Sequence, residues 1–169
     1  MIFRTFVNIL IILILSNLCF AANDSPFSIR VESLEREKVL LDLSAKPGDR
    51  FYINYIHSSD KTPVQDIIEI GEKGEMILIE ENFYWFGAGL EFMDWDKASI
   101  TIEDGKIKVH LKRYLPFLRL RVGRVANHTL DFNGVVVPLK EIARGGELLK
   151  IWVGPRDQRR LRRENSWEN

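Results

Sequence analysis

Residues 99–112 read SITIEDGKIKVHLK, the clearest structural pattern in the chain. Apolar and polar residues alternate on both sides of Asp104-Gly105, a dipeptide that supplies the positive φ angles of a tight two-residue hairpin. Asn133-Gly134 takes the same place between two shorter apolar runs, and the tetrapeptide Gly71–Gly74 joins two more. The pattern therefore predicts antiparallel strands that are connected by hairpins.

The same alternation runs through most of the chain after residue 22. It predicts an all-β fold, a small antiparallel β-barrel or β-sandwich of about nine or ten short strands. At most one short helix is expected, over Pro138–Arg144, because a proline opens this segment and Gly145-Gly146 closes it. A final strand is expected over Leu148–Val153, ending at Gly154-Pro155.

Residues 1–22 have the three-part layout of a secretory signal peptide. Arg4 precedes an apolar stretch over Phe6–Leu15, and Ala21-Ala22 offers the small residues that a signal peptidase needs. The apolar run is shorter than the ~20 residues of a membrane anchor. We therefore expect cleavage before Asn23 and an exported protein that is periplasmic or membrane-associated outside the cytoplasm.

The composition limits the chemistry and the partners. The 169 residues include 24 Lys+Arg, 24 Asp+Glu and a single cysteine, Cys19, so the main domain has no thiol nucleophile and no disulfide. One β domain is expected over residues 23–155, followed by an Arg-rich, disordered tail over residues 156–169. The domain carries 18 basic and 21 acidic residues, which argues against nucleic acid as a partner. An uncleaved N-terminus or the tail would bring the protein close to a membrane.

Strand parity separates the three histidines. His110 shares a face with lysines and is expected to be exposed and inert, whereas His57 and His128 follow the parity of apolar residues and are expected on the inner face. Whether these two rings meet in one site stays open from the sequence. Ser58 points to the opposite face from its neighbour, so we expect His57 to cap its strand and to bind loop backbone through Ser58 or Thr62 rather than to activate a nucleophile.

The segment Phe86-Gly87-Ala88-Gly89 is the other unusual feature. It does not fit a dinucleotide-binding loop, because Phe92 occupies the third glycine position and no strand-to-helix context surrounds it. Two glycines one residue apart indicate a bulge or a close approach of backbone or ligand. The aromatic residues around it are expected to form core or to line a pocket for a small organic ligand. The paired carboxylates Glu80-Glu81 are expected to be solvated turn residues.

Several of these segments together resemble the domain-of-unknown-function family 1850. The residues that carry the resemblance are Tyr55, His57-Ser58, Thr62-Pro63-Val64, Asp66, Phe86-Gly87-Ala88-Gly89-Leu90, Val122-Gly123, Ala126-Asn127-His128, Leu130 and Val137-Pro138-Leu139. The resemblance covers roughly Phe27–Val153. Two positions depart from the family pattern, which has Glu in place of Asp66 and proline in place of Glu91.

The resemblance implies a role rather than a chemistry. Members of this family are small exported or membrane-anchored proteins, typically encoded beside tripartite ATP-independent periplasmic (TRAP) transporters of the TAXI type, and no enzymatic activity is assigned to them. The chain is therefore expected to be a non-enzymatic accessory or binding protein with no cofactor and no metal. Its expected partner is the membrane subunit of such an organic-anion transporter or the solute-binding protein. The alternatives are a small-ligand-binding β domain without a transporter partner, and a histidine-based hydrolase or metal-binding protein.

Overall fold

Strands make up most of the residues that the structure describes. The computed structural model describes residues 25–85 and 98–156, and every strand pairing within them is antiparallel. The eleven strands of these residues are β1 (Phe27–Ser33), β2 (Lys38–Ala45), β3 (Arg50–Ile56), β4 (Pro63–Ile70), β5 (Met76–Phe83), β6 (Ser99–Glu103), β7 (Lys106–Leu115), β8 (Leu118–Arg121), β9 (Thr129–Phe132), β10 (Val135–Pro138) and β11 (Leu148–Pro155). The all-β prediction is confirmed, with slightly more strands than expected.

The strands form two sheets that share one core. The smaller sheet has the order β2-β1-β11-β8, and the larger sheet has the order β10-β9-β3-β4-β5-β7-β6. Ile29 and Ile151 of the smaller sheet pack in one cluster with Phe51 and Leu130 of the larger sheet, and all four are completely buried. Two sheets facing each other across such a core form a small β-sandwich.

The predicted hairpin turns are present. The φ angles are 50° and 73° at Asp104 and Gly105, and 51° and 78° at Asn133 and Gly134. Two successive residues with positive φ form the turn that matches the twist of neighbouring antiparallel strands. The alternation of residues 99–112 therefore becomes the hairpin of β6 and β7, as the sequence predicts.

The predicted helix is shorter than expected. Helix α1 covers only Leu139–Ile142, because Ala143 already returns to an extended conformation. The last strand is longer than expected, since the pairing of β1 with β11 continues to Phe27 and Pro155. Within residues 25–85 and 98–156, no helix has the length and apolar character needed to span a bilayer.

A β-bulge at Ile79 decides which side chains of β5 face the interior. The pairing of β5 with both of its neighbours skips this residue. Leu78 therefore faces the core before the bulge, whereas Glu81 and Phe83 take the inward positions after it. The expectation that Glu80-Glu81 are solvated turn residues is wrong, because both residues lie within the strand.

The inner face of the larger sheet carries a second, smaller apolar cluster. Its buried members are Val64, Phe83, Ile107 and Val109. Tyr55 and Leu111 pack against this cluster and against the main core. Asp66 and Glu81 occupy inward positions between the two clusters, so polar groups separate two apolar parts of the same face.

Candidate functional site

The described segments that carry the family resemblance meet at one end of the larger sheet, where β3 ends and β4 and β9 begin. The backbone N–H of Ile56 donates to the carbonyl of Ala126 at 2.7 Å, and that of Leu139 donates to the carbonyl of His128 at 2.9 Å. Segments far apart in the sequence are thereby joined. We refer to the two loops at this end, residues 58–63 and 124–127, as the rim.

The His57 side chain closes the first loop of the rim. Its Nδ1 lies 2.9 Å from Oδ1 of Asp60 and 2.9 Å from Oγ of Ser59. Oδ2 of Asp60 accepts from the hydroxyl of Thr62 at 2.9 Å, and the backbone N–H of His57 donates to the carbonyl of Thr62 at 2.9 Å. The partners of the ring are therefore Ser59 and Asp60, whereas the expected partners were Ser58 or Thr62.

These contacts differ from those of a nucleophile with its base. Ser59 and Asp60 both approach the same nitrogen of His57, whereas a catalytic relay has the nucleophile and the carboxylate at opposite ring nitrogens. Burial raises the pKa of Asp60, but hydrogen bonds from Thr62 and His57 outweigh it and hold this pKa below its ordinary value. The loop is thus a hydrogen-bonded turn around an ionised carboxylate.

Asp66 and Glu81 form a carboxylate pair further along the inner face, directly opposite each other on β4 and β5. Burial and the neighbouring charge of Glu81 raise the pKa of Asp66 to about 7, although Arg113 acts in the opposite direction. Burial also raises the pKa of Glu81, again opposed by Arg113. Because two like charges lie close together with little water, the pair holds a proton at higher pH than either carboxyl would alone.

The hydrogen-bonding capacity of this pair is only partly used. Nη2 of Arg113 lies 3.6 Å from Oε1 of Glu81, but the Arg113 side chain is 52% exposed. Oε2 of Glu81 is buried and has no hydrogen-bond partner among the described residues. The pair therefore retains a buried acceptor atom that has no partner among the described residues.

Two rings complete the polar part of the inner face. Burial and the charges of Asp66 and Glu81 raise the pKa of Tyr55, so its hydroxyl stays protonated. The His128 ring lies 5.6 Å from the Tyr55 ring, between centroids, and burial lowers its pKa. Nδ1 of His128 is buried without a hydrogen-bond partner in the described part of the chain. We refer to Tyr55, Asp66, Glu81 and His128 as the inner polar cluster, which can hold a proton and offer hydrogen bonds to a ligand.

The histidines are thus divided among three surroundings. His57 binds within its own loop, while His128 contacts Tyr55 at the start of the neighbouring strand. His110 lies on the outer face with its side chain 43% exposed, as parity predicts, but it is not isolated, because its Nδ1 lies 3.2 Å from Oε2 of Glu80. Within residues 25–85 and 98–156, no three His, Cys, Asp or Glu side chains are grouped to hold a metal ion.

The other predicted site residues divide between the rim and the segment that is not described. Pro63 opens β4 opposite Ile56, and Asn127 adopts a φ of 44° with its Oδ1 3.4 Å from Nζ of Lys140. Ser58 is exposed, and its carbonyl accepts a hydrogen bond from Nζ of Lys61. Phe86, Gly87 and Gly89 lie outside the described residues.

Glu81 and Tyr55 are the members of the cluster that were not among the predicted site residues. Met76–Ile79 are apolar at both parities, so the pattern of β5 assigns no face to Glu81, which was expected in a solvated turn. A signal exists in the sequence, because Phe83 is a large aromatic residue two positions after Glu81 and therefore shares its face of the strand.

The fold and this site define a small antiparallel β-sandwich with a polar cluster inside one end. The model of the family described as a domain of unknown function, DUF1850, matches residues 51–139, a span that contains both the rim and the inner polar cluster. The chain belongs to this family, so the resemblance in the sequence is confirmed. No curated protein and no solved structure matches the chain.

Proposed function

We propose that the protein is a non-enzymatic, extracytoplasmic accessory protein of a TAXI-type TRAP transporter for organic anions. Membership of the DUF1850 family supports this role, because the resemblance implies proteins encoded beside such transporters. The observation that carries the proposal is the convergence of the described family-like segments at the end of the larger sheet that holds the rim and the inner polar cluster. Loop residues that a rigid scaffold brings together at one end of a domain commonly form its binding surface.

The rim has the character of a docking surface. Val125 is 54% exposed at its tip, and the polar residues Ser58, Lys61 and Asn127 are exposed around it. A small apolar centre within a polar border is typical of protein interfaces. The hydrogen bond from Ile56 to Ala126 fixes the second loop to the end of β3, from which the first loop begins, and this lowers the entropic cost of binding.

The chemistry of the rim and of the inner polar cluster supports binding rather than catalysis. The His57 ring uses one nitrogen for both of its polar contacts, and these contacts close a turn. The inner polar cluster offers a proton and unpartnered acceptor atoms, with no hydroxyl nucleophile other than Tyr55, whose pKa is raised. A phenol in that state donates hydrogen bonds and is a poor nucleophile.

Site-specific photocrosslinking tests the transporter association. A photoreactive amino acid at Val125, in the rim, is compared with the same amino acid at Lys73, which is exposed in the hairpin loop at the opposite end of β4. Both variants are produced together with the TRAP transporter of the same organism, and cross-linked products from the membranes are identified by mass spectrometry. We expect the Val125 position to capture a membrane subunit or the solute-binding protein, and Lys73 to capture neither.

Equal capture from both positions, or capture of no transporter subunit from Val125, would contradict the proposal. The extracytoplasmic location has its own test in N-terminal sequencing of the exported material. We expect the mature chain to begin near Asn23, because small residues precede this position. Recovery of all the protein in the cytoplasmic fraction would remove the accessory role outright.

A further inference from the structure

We propose that the outer face of the larger sheet binds a neutral, hydroxyl-rich ligand of the glycan type. The binding surface is a groove whose floor is a row of amide side chains, and it lies on the opposite face of the sheet from the inner polar cluster. The inference does not depend on a transporter partner.

The floor of the groove crosses four neighbouring strands. Thr129, Asn54, Gln65 and Asn82 occupy paired positions on β9, β3, β4 and β5. Nε2 of Gln65 donates to Oδ1 of Asn54 at 2.8 Å, and Nδ2 of Asn82 donates to Oε1 of Gln65 at 3.3 Å. Nδ2 of Asn54 lies 3.3 Å from Oγ1 of Thr129. We refer to these four residues as the amide ladder.

Two cavities lie along this ladder. One, of about 370 Å³, is lined by members of the ladder, by Tyr84 and Lys106, and by Pro63 and Asn127 of the rim. The other, of about 610 Å³, is lined by Tyr52, Asp131 and the turn at Asn133-Gly134. The two cavities adjoin at Gln65 and follow one another along β3, from Arg50 and Tyr52 to Asn54 and Ile56, and a strand of this length extends about 20 Å. This length fits a short oligosaccharide better than a single small metabolite.

The ladder does not use up its own hydrogen-bonding groups. Asn82 is only 3% exposed, yet its Oδ1 has no hydrogen-bond partner among the described residues. Nδ2 of Asn82 also donates to Oε1 of Glu80 at 2.7 Å. Each amide side chain has two N–H donors and an oxygen with two lone pairs, and these bonds together engage only part of the capacity of the ladder. A buried polar atom without a partner requires an explanation, and a ligand is one that the geometry allows.

The charges and rings of the groove indicate which ligand it takes. Two basic residues, Arg50 and Lys106, and two acidic residues, Asp49 and Asp131, line the two cavities, so the lining has no net charge that would select an ion. Planar amides match pairs of neighbouring hydroxyl groups, and the C–H face of a sugar packs on an aromatic ring. Tyr84 provides such a ring, with 45% of its surface exposed.

An NMR titration of the mature protein tests this inference. The probes are maltohexaose, cellohexaose and chitohexaose, with a capped, uncharged hexapeptide as the rival extended ligand. We expect at least one hexasaccharide to shift the side-chain amide signals of Asn54, Gln65 and Asn82 in a saturable manner. Tyr84→Ala should weaken this binding about tenfold or more. Tyr114→Ala is the matched control, because Tyr114 is a 58% exposed tyrosine outside the groove, and it should leave the affinity unchanged.

Gln65→Ala supplies a second variant, since Gln65 lies where the two cavities join, and its unfolding temperature is measured to exclude a folding defect. Saturable hexasaccharide binding that both Tyr84→Ala and Gln65→Ala weaken supports the inference. Three results would overturn it: no hexasaccharide saturates at up to roughly 10 mM, the hexapeptide binds in place of the saccharides, or Tyr114→Ala weakens binding as much as Tyr84→Ala does.

Discussion

Glu147 and Asp66 are both acidic residues of the sandwich, but their surroundings are opposite. Glu147, which is 7% exposed, accepts hydrogen bonds from Oγ of Ser33, from Nε of Arg36 at 2.6 Å and from the N–H of Arg144 at 2.7 Å. These hydrogen bonds lower the pKa of Glu147 to about 2. For Asp66, burial and the neighbouring Glu81 raise the pKa to about 7. The same chemical group is therefore ionised at one place and titrates near neutrality at the other.

The comparison distinguishes a carboxylate that stabilises the fold, Glu147, from one whose protonation changes near neutral pH, Asp66. Glu147 joins the turn after β1 to the turn before β11, and every donor around it stabilises the charge. The pair of Asp66 and Glu81 stabilises the fold poorly, because a buried charge without full compensation is costly. The central claim that follows is that the inner polar cluster takes up a proton near neutral pH at the expense of stability, whereas Glu147 stays ionised and stabilises the fold.

The largest expected loss of stability follows from a change at Glu147, the carboxylate with several hydrogen-bond donors. Glu147→Gln removes the charge that compensates the Arg36 guanidinium and leaves two other donors with a weaker acceptor. We expect the midpoint of thermal unfolding to fall on the order of 10 °C. Glu69→Gln is the matched control, because the pair of Glu69 with Arg50 is exposed and should contribute little. An equal fall in the unfolding midpoint for Glu147→Gln and Glu69→Gln would contradict this distinction between a buried carboxylate and a surface ion pair.

The pH dependence of stability should have opposite signs at the two places. The pKa of Glu147 in the folded state, about 2, lies below its ordinary 4.5, so its contribution is present above pH 4.5 and is lost as the pH falls. The pKa of Asp66 in the folded state, about 7, lies above its ordinary 3.8, so its contribution is present below pH 3.8 and is lost as the pH rises through 7.

The variant Asp66→Asn tests the predicted pH dependence at Asp66. We expect the free energy of unfolding to match that of the wild type at pH 4 and to exceed it by about 1–3 kcal/mol at pH 8, where the wild type must ionise a buried carboxyl. Urea unfolding at the two pH values measures the change. Asp104→Asn, in the exposed turn between β6 and β7, is the control and should change neither value. A loss of stability at pH 8 would show that Asp66 is a structural tie like Glu147.

The smallest change in stability is expected from a substitution at His57, whose ring closes the first loop of the rim. His57→Ala removes the ring that contacts Ser59 and Asp60, and we expect a loss of about 1 kcal/mol in urea unfolding. His110→Ala serves as the control, because this ring is 43% exposed on the outer face and its contact with Glu80 lies at the surface, so the change in stability should be less than about 0.5 kcal/mol. A His57→Ala protein with unchanged stability that no longer binds its partner would make His57 a contact residue.

The elements that depend on local sequence were predictable. Asp104-Gly105 and Asn133-Gly134 specify their hairpins because only certain residues tolerate two successive positive φ angles. The parity of β7, which places His110 outside, was predictable for a similar reason, since period-two alternation is a local property. Local chemistry therefore defined the hairpins and the outward face of that strand.

The inner polar cluster was only partly predictable, because it depends on pairing between distant segments. Asp66 and His128 were named as candidates, but the sequence does not show that Glu81 lies opposite Asp66 or that Tyr55 contacts His128. The bulge at Ile79 reverses the parity of β5, and this single extra residue turns Glu81 inward. A register between strands is set by tertiary packing rather than by the local pattern.

A carboxyl-carbon NMR titration of the wild type and Glu81→Gln tests the central claim most directly. In the wild type we expect Asp66 to titrate near pH 7 and Glu147 to remain ionised down to about pH 2. In Glu81→Gln the pKa of Asp66 should fall, because the repelling neighbour is gone. Titration of Asp66 near its ordinary value of 3.8 in the wild type, unchanged by Glu81→Gln, would contradict the account.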